Sequence, residues 1–116
     1  MRIIAGINRG IKLITTEGLN LRPTSDRVRE SLFNILDGGK YPGSYKNKLV
    51  IDAFAGTGAV GLEALSRGAG RVIFYENSVK SLEVLHQNIR SLKASNATTV
   101  LNLDATKIMR PSDEKA

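Results

Sequence analysis

The sequence predicts an α/β fold: a parallel β-α-β-α-β core preceded by a β-hairpin. Three observations carry this. Apolar runs at 49–52, 71–75 and 99–103 alternate with helical patterns, and strands separated by helices lie parallel through right-handed crossovers. The run Val50-Ile51-Asp52-Ala53-Phe54-Ala55-Gly56-Thr57-Gly58-Ala59-Val60-Gly61 passes from a strand through a carboxylate and a glycine turn into an apolar helix. An open parallel sheet presents a nucleotide-like cofactor in this way, at the carboxyl end of a strand. Lastly, each strand is followed by an acid: Asp52, Glu76 and Asp104.

The elements follow in order. Arg2-Ile3-Ile4-Ala5 and Ile11-Lys12-Leu13-Ile14 flank Gly6 and the turn-forming Asn8-Arg9-Gly10, the pattern of a hairpin decorated by Arg2, Arg9 and Lys12. A loop with Gly18 and Pro23 leads to a helix over Ser25–Leu36. Its apolar face is expected at Val28, Leu32, Ile35 and Leu36, with Ser25 or Thr24 as cap and Asp26 in the first turn. Gly38-Gly39 ends that helix, and residues 40–47 link it to the core. Leu49–Asp52 is continuously apolar up to its acid, as in a strand covered on both faces. A helix over Ala59–Arg67 closes at Gly68. The second strand, Arg71–Tyr75, precedes Glu76. Ser78 caps a third helix with the stripe Leu82, Leu85, Ile89 and Leu92, and Thr99–Leu103 is the third strand.

The 116 residues make one domain or part of one. An apolar share of 41% and a charged share of 24% are ordinary for a soluble protein. The chain has no cysteine, which excludes disulfides, cysteine nucleophiles and cysteine-based zinc sites. No apolar run spans a bilayer, and the start lacks a signal-peptide pattern, so a cytoplasmic location is expected. The net charge is +6, and residues 1–48 carry nine Lys/Arg against four Asp/Glu. A basic appendage on a nearly neutral body suits either a polyanionic partner such as nucleic acid or a solvated surface.

A lone acid at a strand end is usually a turn residue or a helix cap, and a lone G-x-G-x-x-G is a weak signal. Three acids with the glycine turn favour cofactor binding. Each acid has a role if the ligand is S-adenosylmethionine. Glu76 accepts from both ribose hydroxyls, Asp104 accepts from the adenine amino group, and Asp52 organises the turn and faces the cationic methionine end. Gly56 and Gly58 allow close approach of the backbone. An NAD-linked oxidoreductase shares the glycine letters. However, Asp52 would repel a diphosphate at the helix N-terminus, and Ala53-Phe54-Ala55 moves the first glycine away from the strand.

The segment Asp52–Gly58 resembles the D-x-F-x-G-S/T-G form of the adenosylmethionine motif, and Leu62-Glu63-Ala64-Leu65-Ser66-Arg67-Gly68-Ala69 continues the match. Upstream, Arg22-Pro23-Thr24-Ser25-Asp26-Arg27-Val28-Arg29-Glu30-Ser31-Leu32-Phe33-Asn34-Ile35-Leu36 is similar to the most recognisable segment of a bacterial family that methylates a guanine N2 of 16S ribosomal RNA. Met1–Gly6 with Arg9-Gly10 fits as well. The resemblance covers roughly residues 1–110 and implies a Rossmann-like class I methyltransferase fold with an N-terminal hairpin extension. It implies that residues 1–24 form a basic, RNA-contacting hairpin and loop, and residues 25–116 the first half of the adenosylmethionine-binding domain. It places Asp52, Phe54, Ala55, Gly56 and Gly58 at the methionine moiety of the cofactor. Glu76 and Asn77 fall at the ribose, Asp104 and Ala105 at the adenine, and Arg22 and Thr24 over the carboxylate end. Arg2, Arg9, Lys12, Arg27 and Arg29 would meet the phosphates of 16S rRNA or of a small-subunit assembly intermediate. Paired helix-surface charges are the other reading of Arg27 and Arg29. No metal and no membrane partner is implied.

The family also carries an Asn/Asp-Pro-Pro-Tyr/Phe motif after its fourth strand, which localises the amine lone pair and stacks the flipped base. The prolines here are Pro23, Pro42 and Pro111, so no such motif occurs and the catalytic residue is unknown. A non-catalytic module that binds adenosylmethionine or RNA is therefore the alternative function. The first strand, central in the full fold, is expected at an edge with apolar surface exposed, as in a truncated product, a fragment or a self-associating chain. His86 is expected on the surface, and Phe33 and Phe74 in the core.

Overall fold

Three short strands in a computed structural model, Leu49–Asp52 (β1), Arg71–Tyr75 (β2) and Thr98–Leu101 (β3), pair in parallel in the order β1-β2-β3. The structure describes residues 1–15, 26–53 and 55–103. Helices Asp26–Gly38 (α1), Ala59–Ser66 (α2) and Val79–Ser91 (α3) complete it, with a single 3-10 turn at Ser95–Ala97 before β3. None of the described helices is long and apolar enough to cross a membrane.

Register sets where the acids fall. Asp52 lies opposite Phe74, and Phe74 opposite Val100. Glu76 is two residues further along, where its N–H donates to the Leu101 carbonyl at 3.1 Å. The core lies between the sheet and the crossover helices. Val72 and Phe74 of β2 are buried with Leu62 of α2 and with Leu85, Ile89 and Leu92 around α3, three of the four residues of the stripe expected from the sequence, while Leu82 is only half-buried and outside the core. Gly61 lets α2 lie close on β2, since a Cβ there would sit 2.4 Å from Phe74 Cε1.

The N-terminal segment is a narrow hairpin. Arg2 and Lys12 form an antiparallel bridge, the Ile3 N–H donates to the Ile11 carbonyl at 3.0 Å, and the Leu13 N–H donates to the Met1 carbonyl at 2.7 Å. Ile3 and Leu13 are buried in the core shared with the sheet. The hairpin turn sits on the C-terminus of α2, where the Ile7 N–H donates to the Ser66 carbonyl and the Asn8 N–H to Ser66 Oγ, both at 2.9 Å.

Two expectations are corrected. The stripe Val28, Leu32, Ile35 and Leu36 does not face the body: Val28 is 58% exposed and Ile35 72%. The inward residues of α1 are Arg29 and Phe33. Phe33 packs edge-on to Tyr45, at 5.5 Å between ring centroids, and beneath the Arg67 guanidinium at 4.6 Å. Three charged and aromatic neighbours outside α1, Glu63, Tyr45 and Arg67, thus fix the rotation of the helix that hydrophobic periodicity assigned to aliphatic side chains. The second correction concerns β1, which is covered on one face only, with Leu49 and Ile51 about half exposed. It lies at an edge of the described sheet, as expected from three strands in this order. The third strand begins at Thr98 and ends at Leu101, slightly earlier than its apolar run. The expected caps Thr24 and Ser25 lie outside the described residues.

Candidate cofactor site

The carboxyl edge of the sheet holds the glycine turn between two acids. Gly58 precedes α2 at its N-cap position; its φ of 85° suits glycine, and it has no side chain to cap the helix. Asp52 supplies that function from the end of β1, its Oδ2 accepting the Gly61 N–H at 3.1 Å. A carboxylate at this position also complements the positive end of the helix. On the other side, Glu76 Oε1 accepts the Gly56 N–H at 2.8 Å and Oε2 accepts the Ser78 N–H at 2.9 Å. The Ala55 N–H donates to the Tyr75 carbonyl at 3.2 Å and the Gly58 N–H to the Ala55 carbonyl at 2.8 Å, which closes the turn onto β2.

The two glycines serve different ends. A Cβ on Gly58 would sit 2.4 Å from Leu85 Cδ1, so this glycine lets the turn seat on α3. A Cβ on Gly56 would meet no atom of the described residues within 4 Å. Among the described residues Gly56, at φ 52°, therefore has room beside it for a ligand to approach the backbone. Each Glu76 oxygen has a second acceptor position left for a ligand hydroxyl. Asp52, Ala55, Gly56, Gly58 and Glu76 thus converge on one turn, and Asn77 follows directly, exposed. Phe54, Asp104, Ala105, Arg22 and Thr24 lie outside the described residues.

Two buried polar residues not singled out in the sequence tie the hairpin to the body, and one of them, Asn88, braces this turn. Asn88, fully buried on α3, accepts the Ile14 N–H at 2.8 Å and donates to the Ile14 carbonyl at 3.0 Å and to the Thr57 carbonyl at 2.9 Å. It ties the end of the hairpin to the glycine turn. Glu63, fully buried on α2, accepts the Ile4 and Ala5 N–H groups, Arg29 Nε at 2.9 Å and Arg67 Nε at 2.9 Å. Burial works to raise the Glu63 carboxyl. The Ile4 N–H, the Arg67 and Arg29 guanidinium groups and the Ala5 N–H outweigh it and hold the group below its ordinary value of 4.5. Asp26 behaves alike: burial raises it, and the Arg2 N–H and Arg29 prevail, so it too is lowered. Burial, with the proton donated to Asp37 at 2.9 Å, pushes the Tyr45 phenol up to about 12. The signal for Glu63 was a lone charge in an apolar helix, and for Asn88 an amide beside the stripe of α3.

The expected RNA-contacting residues divide. Arg2, Arg9, Lys12 and Arg27 are exposed. Arg29 is fully buried, bonded to Glu63, Asp26 and the Arg2 carbonyl, and so is withdrawn from the RNA-contacting set. Its role is to join α1 to α2 and the hairpin. His86 is exposed, while Phe33 and Phe74 are buried, as expected. Among the described residues no cluster of potential metal ligands occurs.

The chain is similar to Ribosomal RNA small subunit methyltransferase D of Escherichia coli (strain K12), with 44% identity over 100 residues, 86% of this chain and 48% of that protein. It is 33% identical to YlbH of Bacillus subtilis (strain 168), named as a proposed rRNA methyltransferase, over 99% of this chain and 60% of the relative. Among solved structures, the proposed methyltransferase yhhF of Escherichia coli superposes with a TM-score of 0.76 at 37% identity, over 93% of this chain and 55% of that one. The chain therefore spans about half to three fifths of the length of these relatives. The α/β, Rossmann-like class I methyltransferase core and the family resemblance carried by Arg22–Leu36 and the glycine run are both borne out. Matched over residues 1–116, the chain belongs to the family described as Conserved hypothetical protein 95.

Proposed function

We propose that this chain is the methyl-donor-binding part of an S-adenosylmethionine-dependent methyltransferase acting on the exocyclic N2 of a guanine in 16S ribosomal RNA. The observation that carries the reading is the turn Ala55–Gly58, held between the Asp52 and Glu76 carboxylates with no other described residue against Gly56 on its Cβ side. The residues fit the cofactor. Glu76 has acceptor positions for ribose hydroxyls, Asn77 adjoins it, and Asp52 gives the methionine end an anionic neighbour suited to a sulfonium. Bound there, adenosylmethionine would supply an electrophilic methyl group. Asp104 and Ala105 are assigned to the adenine, Phe54 to the methionine moiety, and Arg22 and Thr24 to its carboxylate. The exposed Arg2, Arg9, Lys12 and Arg27 are assigned to RNA phosphates, and an rRNA or small-subunit substrate implies a cytoplasmic protein.

A dinucleotide fits less well. Its diphosphate needs free N–H groups at a helix N-terminus, and the Gly61 N–H at the start of α2 is already bonded to an acid. Calorimetry with adenosylhomocysteine tests the cofactor assignment. Well-folded chain should bind it, NADH should not compete, and Glu76→Ala should weaken binding at least tenfold, about 1.4 kcal/mol. Folded protein that binds no adenosylhomocysteine would refute the assignment.

A further inference from the structure

Five exposed cations lie on the edge of the sheet opposite the cofactor turn. Parallel strands start on one edge, and the crossover helices end there. That edge carries Lys46 and Lys48 before β1, Arg71 at the start of β2, and Arg90 and Lys93 at the end of α3, all exposed. None of the five is paired with a carboxylate among the described residues.

Backbone bonds fix neighbouring cations of this edge in pairs. The Gly70 N–H donates to the Lys48 carbonyl at 2.9 Å, and the Lys93 N–H to the Arg90 carbonyl at 3.0 Å. The Arg71 guanidinium is anchored on neutral oxygens, donating to the Asn96 carbonyl at 3.1 Å and to Thr99 Oγ1 at 2.6 Å. Anchoring without a counter-charge fixes the cation in place and leaves its field undiminished. Beside Leu49, the exposed residues between the cations are Asn47, Gly68, Gly70, Ser91, Ser95 and Asn96. The last six are small or amide groups that hydrogen-bond phosphate and ribose, and a single leucine is a slight apolar anchor for a bilayer.

The cluster also continues into the hairpin. The hairpin turn bearing Arg9 sits on Ser66, next to Arg67, and a cavity of about 270 Å³ lined by Ala5, Gly6, Asp37, Tyr45, Lys46 and Arg67 lies between that turn and Lys46. Asp37, the acid in this cavity, is engaged by Arg67 at 3.5 Å and by Tyr45.

We propose that the amino-terminal edge of the sheet is a second RNA-binding surface, where Lys46, Lys48, Arg71, Arg90 and Lys93 contact phosphates of an RNA that also crosses the hairpin. The proposal rests on the ribosomal RNA reading above and extends the RNA footprint to the side of the protein away from the methyl donor. Strands of four to five residues separate the edges by roughly 13–17 Å, so these cations contribute to affinity and orientation and not to the reacting base.

The test uses the full chain, a labelled 16S ribosomal RNA fragment and fluorescence anisotropy over a salt series. The combined variant Lys46→Gln, Lys48→Gln, Arg90→Gln, Lys93→Gln replaces exposed side chains, and circular dichroism checks its fold. Each phosphate left without its cation lowers the slope of log affinity against log salt by about 0.7–0.9, so the variant should lose about 3 from the slope and keep its adenosylhomocysteine affinity. A wild-type slope in the variant would overturn the proposal. If Arg9→Gln with Lys12→Gln weakens RNA binding while the edge variant does not, the edge proposal alone falls. Binding of the edge to anionic phosphatidylserine vesicles but not to RNA would also overturn it. If the wild-type chain binds neither RNA nor adenosylhomocysteine, the edge proposal falls together with the reading it rests on.

Discussion

Glu63 joins three parts of the molecule through one carboxylate: the hairpin backbone, Arg29 of α1 and Arg67 at the end of its own helix. Removing one partner of a buried ion pair leaves the other uncompensated, at about 3–5 kcal/mol. Glu63→Ala should destabilise the chain by that amount in urea unfolding, far more than truncation of an exposed acid such as Glu83. The pH dependence follows from the lowered carboxyl. The unfolded chain takes up this proton near 4.5, whereas the folded chain does so only at lower pH. The stabilisation is therefore complete above about 4.5 and is lost as pH falls from there through the folded value. In urea titrations across that window Glu63→Gln should show a flatter acid limb than wild type; equal limbs would exclude Glu63 as a source of the acid sensitivity. At this scale the sequence was legible where a residue acts through backbone geometry, as Gly58 does. It was less so where a side chain acts through distant partners. Glu63 meets Ile4 and Arg29, which are 59 and 34 positions away, and no local spacing encodes that.

Among the elements, β1, β2 and α3 were legible because each combines one dominant pattern with a clear end: an apolar run stopped by an acid, or a four-leucine/isoleucine stripe behind a serine cap. Ser78 Oγ does accept the Ser81 N–H, at 3.5 Å. In α1 two patterns compete. Val28, Leu32, Ile35 and Leu36 form the larger apolar stripe, yet Arg29 and Phe33 face inward because Glu63 neutralises the arginine and Tyr45 and Arg67 enclose the ring. Hydrophobic periodicity cannot anticipate a buried cation whose counter-ion lies on another helix. The two orientations differ in what mutation does. Phe33→Ala should cost about 3–5 kcal/mol, as for a buried aromatic ring, and Ile35→Gln should stay within about 0.5 kcal/mol, as for a surface position. Chemical denaturation of both variants decides between them. A reversed order of destabilisation would return α1 to the orientation its periodicity suggests.

At the scale of the whole molecule, the exposed side of α1 and the bare face of β1 matter together. Val28, Leu32, Ile35, Leu49 and Ile51 are all exposed, and β1 is an edge strand whose outer backbone groups have no strand partner in the described sheet. Unpaired strand edges and contiguous apolar patches both drive association. The net charge of +6 opposes it through long-range repulsion, which salt screens over about 10 Å at 0.1 M. The balance between the two gives a definite expectation for the chain in isolation: association should grow with protein concentration and with ionic strength. Salt-dependent growth separates apolar association from charge pairing, which salt weakens. Sedimentation velocity over a concentration and salt series measures this directly. Ile51→Lys places a charge on the bare face of the edge strand without touching the core, and Leu32→Glu does the same on α1. Both should shift the distribution towards monomer, while Glu83→Gln, on the exposed surface of α3, should not. Monomeric wild-type chain at high concentration and high salt would mean that these apolar side chains are too dispersed to act as one surface.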